Sequence, residues 1–79
     1  MKLPRNLSGY ALAKKLEAFG YQITRQTGSH IRLTTETNGI HHITIPAHDP
    51  LKIGTLSAIL NAISIHFELS KQQLIENLF

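Results

Sequence analysis

Residues 21–45 read YQITRQTGSHIRLTTETNGIHHITI, and the period of this stretch decides the fold. From Tyr21 to Gln26, Tyr21 and Ile23 share one face and Gln22 and Thr24 the other. From His30 to Thr35, Ile31 and Leu33 point inward while His30, Arg32 and Thr34 point outward. From Ile40 to Ile45, Ile43 and Ile45 point inward and His42 and Thr44 outward. A repeat of two residues is strand periodicity, so three strands are predicted. Side chains directly opposite on paired strands point to the same face, and this parity constrains the turns. A two-residue Asn38-Gly39 turn would set Leu33 against Thr44 and mix the faces. A three-residue loop, Thr37-Asn38-Gly39, with Gly39 left-handed, pairs Leu33 with Ile43, Ile31 with Ile45 and His30 with Pro46. The same parity favours an odd loop, or a bulge, at Thr27-Gly28-Ser29. The short Pro46-Ala47-His48 exit can then bring His48 close to His30.

Working outward, residues 8 to 19 read as a helix. Ser8 is its N-cap, Leu12, Leu16 and Phe19 form one buried stripe, and Gly20 is the C-terminal stop. Residues 54 to about 66 form a second helix with Leu56, Ile59, Leu60 and Ile63 on its apolar side. A short third helix begins at Ser70, which forms a capping box with Gln73 and carries Leu74, Ile75 and Leu78 inward. The expected class is α+β: α-β-β-β-α with an additional short C-terminal helix, and a three-stranded antiparallel sheet with helices on one face. The other face stays open and carries Thr24, His30, Arg32, Thr34, His42 and Thr44. Polar residues are normal on a solvated sheet face.

Size and charge narrow the class. Seventy-nine residues make one domain, 1–79, with a core near the lower limit for independent folding. There is no cysteine, so disulfides and thiolate metal sites are excluded. No apolar run approaches bilayer-spanning length, and Met1-Lys2-Leu3-Pro4-Arg5 has no long apolar region behind its charges. A cytoplasmic protein with no membrane contact is therefore expected. Eight Lys and Arg face five Asp and Glu, a formal charge of +3, with five histidines able to add more in mild acid. This balance favours a polyanionic partner only modestly, since many small domains are this basic.

At this level Gly28-Ser29 can be a plain hairpin turn and His30 an ordinary surface residue. Beyond it, several pieces in order resemble the HicA family of small mRNA-interferase toxins. They are Leu16-Glu17-Ala18-Phe19-Gly20-Tyr21, Arg25-Gln26-Thr27-Gly28-Ser29-His30, Ile43-Thr44-Ile45-Pro46-Ala47-His48, Gly54-Thr55-Leu56 and Ile59-Leu60. The similarity runs from about Ser8 to about Ile63. The segment before Gly54-Thr55 is shorter than the family pattern, which is often more basic there, and Ile65 to Phe79 is less characteristic. The resemblance implies a double-stranded-RNA-binding-domain-like fold and a toxin that cleaves mRNA. It also implies neutralisation by a cognate HicB-type antitoxin, with the histidine of Gly-Ser-His, here His30, as the catalytic residue.

The chemistry of that activity then sorts the remaining candidates. RNA carries its own nucleophile, so a metal-free nuclease needs a base, an acid and charge stabilisation. His30 suits the base or acid role, and His48 the complementary one or a phosphate contact. Arg25 and Arg32 are candidates for phosphate binding through their guanidinium forks. Lys52 precedes a helix N-terminus that itself attracts anions. Gly28 lets the backbone bend, and Ser29 can orient His30 or a phosphate. Lys14 and Lys15 read as solvated or RNA-touching. His42 is an outward strand residue, His41 a partly buried edge residue, and His66 an electrostatic aid to its helix end. His41-His42 point to opposite faces and the usual ligand spacings are missing, so neither a metal nor any other cofactor is expected. The expected partners are mRNA and the antitoxin, with the free toxin a monomer. A non-catalytic RNA-binding module of the same fold is the alternative, as is an interaction domain whose exposed face and last helix serve the antitoxin.

Overall fold

A computed structural model describes residues 3–79. The order is α1 (Gly9–Lys15) closing in a 3₁₀ turn (Leu16–Phe19), β1 (Gln22–Thr27), β2 (His30–Thr35), β3 (His41–Pro46), α2 (Ile53–Phe67) and α3 (Lys71–Leu78). The strands form one antiparallel sheet in the order β1-β2-β3. This is the α+β, α-β-β-β-α arrangement with a third helix at the end.

Local signals account for most of the elements. The Ser8 side chain accepts a hydrogen bond from the Ala11 N–H, as an N-cap should. The last turn of the first helix tightens to 3₁₀ geometry and ends at Gly20, whose φ of +83° closes the chain toward β1. The Ser70–Gln73 capping box is present in both directions. Leu12, Leu16, Tyr21, Ile31, Leu33, Ile45, Leu56, Leu60, Ile63 and Leu74 are fully buried, between the sheet and the helical layer. Phe19 is only partly covered. The axis of α3 turns 105° from α2, which brings Leu74, Ile75 and Leu78 down onto the same core. Among the described residues, no single helix is long and apolar enough to cross a membrane.

The pairing of β2 and β3 is the one parity demands: His30↔Pro46, Ile31↔Ile45 and Leu33↔Ile43. Its loop is longer than three residues, because the ladder stops at Thr35↔His41, and Asn38 joins Gly39 at positive φ. The β1–β2 connection departs from expectation. Gly28-Ser29 is a plain two-residue turn between Thr27 and His30, with positive φ only at Gly28, as in a type II′ turn. The extra residue that parity requires sits instead at Thr24, where the register shifts between Ile23 and Arg25. The ladder thus keeps the tight turn and absorbs the mismatch mid-strand, as an edge strand such as β1 can.

One contact ties the helical layer to the end of β3. The Gly9 N–H donates to the His48 carbonyl at 2.9 Å, and a Cβ on Gly9 would lie 2.1 Å from the Pro46 carbonyl oxygen. Only glycine allows α1 to approach the strand exit this closely.

Candidate active site on the open sheet face

The bulge at Thr24 decides what the open face presents. Strict alternation from Ile23 would turn Arg25 toward the helices. With Thr24 inserted, Arg25 pairs directly with Arg32 and shares its face. Arg32 in turn pairs with Thr44. One row across the sheet is therefore Arg25–Arg32–Thr44, and the next is Thr27–His30–Pro46, about 7 Å further along the strands. All of these except the half-covered Pro46 are exposed. Among the described residues, neither arginine has a carboxylate partner. Like charges set directly opposite on paired strands repel, so this pair is an arrangement that an anion would relieve.

Gln26, the residue between Arg25 and Thr27, points the other way, and its amide meets the Tyr10 hydroxyl on α1. His30 stands at the turn end of the face with its ring in solvent. Ser29 holds the neighbouring segment through its backbone, its carbonyl accepting from the Ala47 N–H at 2.7 Å. Gly28 supplies the left-handed corner and has no atom within 4 Å of where a Cβ would stand.

The remaining sequence candidates divide. His48 follows directly on the Ala47 bridge, so its backbone runs beside the Ser29-His30 corner, anchored from the far side by Gly9. Its side chain is exposed, and no hydrogen bond joins it to His30 among the described residues. Lys52 is the N-cap residue of α2, exposed and without a side-chain capping bond, in the connection beyond His48. Lys14 and Lys15 lie in the last turn of α1, at the opposite end from the Pro46 contact, and Lys15 sits 5.5 Å over the Phe79 ring. They do not join the arginine row. His30, Arg25 and Arg32 are thus brought together, His48 is brought alongside through backbone, and the lysines stand apart. Among the described residues, no three His, Asp or Glu side chains converge as a metal-ligand set.

Two ring contacts, both made by His41, lie on the helix side. His41 is partly buried, with Nδ1 at 2.6 Å from the Tyr21 hydroxyl, and its ring stacks on His66 at 4.4 Å and 11°. Burial, followed by the proximity of His66 and His42, lowers the His41 pKa from its ordinary value, while burial pushes the Tyr21 hydroxyl up to about 12. Tyr21 therefore stays neutral and serves as a hydrogen-bonding group. His66 does more than sit in the last turn of α2: its Nε2 lies 3.0 Å from the Thr37 carbonyl, and Asn38 donates to the His66 carbonyl at 2.9 Å. The two histidines therefore anchor the β2–β3 loop and lie off the open face. Sequence reading did not find this stack, Gly9's contact, or the place of the bulge at Thr24, having set an odd loop or bulge at Thr27-Gly28-Ser29, since each depends on which distant residue lies opposite.

A small α+β domain whose open face sets an arginine pair, without a carboxylate partner among the described residues, beside an exposed histidine is the class of protein these features define. The family described as the HicA toxin of bacterial toxin-antitoxin systems matches residues 10–65. The chain belongs to that family, as the toxin component of a toxin-antitoxin system, and an antitoxin partner follows from that membership. Searches among curated proteins and among solved structures gave no match.

Proposed function

We propose that this toxin is an endoribonuclease that cleaves mRNA, without a metal, at the corner formed by Gly28, Ser29 and His30. The observation that carries the reading is the adjacency of two rows on the open face: His30 in one and, in the next, the Arg25–Arg32 pair, which has no carboxylate partner among the described residues. In this mechanism a base takes the proton of the ribose 2′-hydroxyl, and the 2′-oxygen attacks the adjacent phosphorus. The bond to the 5′-oxygen breaks and an acid protonates that leaving oxygen. The products are a 2′,3′-cyclic phosphate and a 5′-hydroxyl.

His30 supplies one proton transfer, a role worth roughly 10²- to 10⁴-fold in rate. His48, carried past the same corner by the Ala47–Ser29 bridge, is the candidate for the complementary transfer or for a phosphate contact. Arg25 and Arg32 neutralise the charge that builds on the phosphorane oxygens. Ser29 contributes to phosphate orientation, Gly28 gives the backbone its corner, and Lys52 adds longer-range attraction for the strand. The same face, cationic and open, is where a HicB-type antitoxin with a negative surface would block access, and the free toxin is a cytoplasmic monomer.

The test is purified protein with single-stranded RNA, wild type beside His30→Ala, with end-group analysis and circular dichroism of both proteins. Cyclic-phosphate ends from the wild type and none from a folded His30→Ala are expected. An active, folded His30→Ala overturns the assignment. Tight RNA binding by a wild type that never cuts would make the chain the non-catalytic RNA-binding module instead.

A further inference from the structure

The open face has a second half, at the end remote from the Gly28-Ser29 turn. There Thr34 Oγ1 lies 3.0 Å from Thr24 Oγ1 and 2.8 Å from His42 Nδ1, a chain of polar contacts across all three strands. Thr24 stands on this face by ordinary alternation from Gln22, which pairs with Thr34, and the bulge adds Arg25 beside it. Over it lies an open depression of about 530 Å³, lined among others by Gln22, Thr34, Glu36, Ile40 and His42.

The chemistry of this lining differs from that of the arginine row. Among the described residues no lysine or arginine lines it, and Glu36 does, so a phosphate is disfavoured. Gln22 offers an amide with both donor and acceptor capacity, the threonine hydroxyls can do either, and His42, held through Nδ1, keeps Nε2 for a ligand. Ile40, 68% exposed, provides an apolar wall that the core does not use. A neutral, flat group with donors and acceptors along its edge matches this set, and the volume falls in the range of small-ligand sites. The depression is also in line with the proposed cleavage corner. Thr34 is four residues from His30 on β2, about 13 Å along the strand, with Arg32 midway.

We infer that this depression is a nucleobase subsite, which seats one base of the RNA about two nucleotides from the phosphate held at His30. The inference rests on the RNA reading above and adds where sequence preference arises. Arg25 and Arg32 grip the backbone without regard to sequence, whereas Gln22, Thr34 and His42 read a base edge.

Neutral nucleosides and inorganic phosphate separate the two halves of the face without any cleavage. In amide and side-chain NMR titrations of the wild-type chain, nucleosides shift the signals of Gln22, Thr34 and His42 saturably, with one base preferred. Inorganic phosphate shifts those of Arg32 and His30 instead. Thr34→Val, at a half-buried position, and His42→Ala, at an exposed one, keep the fold by circular dichroism and weaken nucleoside binding by roughly tenfold or more. Nucleosides that leave these signals unmoved, or bind the variants as tightly as the wild type, overturn the subsite. An active His30→Ala protein would refute the catalytic assignment while leaving this titration intact, so the two failures are distinguishable.

Discussion

Gly9→Ala tests the contact that holds the strand exit beside the proposed cleavage corner. The added methyl carbon would stand 2.1 Å from the Pro46 carbonyl oxygen, 3.1 Å from the Pro46 carbonyl carbon and 3.2 Å from the Ala47 Cα. Ordinary contact starts near 3.4 Å, so α1 and the end of β3 must separate by more than an ångström. All three atoms are backbone, and no flexible side chain can yield in their place. Overpacking of this kind costs about 1–3 kcal/mol. The Gly9–His48 hydrogen bond, 2.9 Å long, lengthens at the same time and adds about 1 kcal/mol. Alanine's better helix propensity returns at most about 1 kcal/mol. The net loss is about 1–3 kcal/mol, a large part of the stability of a chain this size. In urea, with a slope near 1 kcal/mol per molar for a small protein, the midpoint falls by about 2 M. Gly54→Ala is the control, since a Cβ at Gly54 meets nothing within 4 Å in an exposed first turn of α2. It should hold or raise the midpoint. If Gly9→Ala unfolds within about 0.5 kcal/mol of wild type, the close approach of α1 to Pro46 is not a constraint, and the account of how the His48 segment is held fails with it.

Acid should weaken the fold through the His41–His66 stack. Because the folded pKa of His41 lies below its ordinary value of 6.5, the unfolded chain binds that proton more readily. The contribution is therefore full above that value and is lost as pH falls through it toward the folded pKa. His41→Gln should flatten the fall of Tm across this window, and an unchanged slope would show that His41 is not its source. At the end of α2, Glu68 holds φ at +55° as the C-cap, a left-handed conformation that a Cβ penalises. Glu68→Gly should stabilise by about 0.5–1 kcal/mol after glycine's own entropy is subtracted, read as a higher urea midpoint; a lower midpoint would mean the carboxylate has a compensating role.

Much of the framework is written locally. Ser8 before a Leu12–Leu16 stripe, Ser70 three residues ahead of Gln73, and the alternation in Ile31-Leu33 and Ile43-Ile45 each determine an element by themselves, because helix and strand periods are short-range properties. The pairing of Leu33 with Ile43 was also legible, since a one-residue slip would bury Thr44 in place of an isoleucine and the short loop favours the nearest register of the right parity. His30's place on the open face follows from the same alternation. What the sequence could not say is where the surplus residue of β1 goes. A bulge at Thr24 and an odd turn at Gly28-Ser29 satisfy the same parity, and only the competition between ladder hydrogen bonds and turn geometry in the folded sheet chooses between them. That choice carries Arg25 to the face of Arg32. Tertiary structure likewise brought His66 onto His41 from 25 positions away and set Gly9 against Pro46, contacts between segments whose local patterns contain no trace of one another.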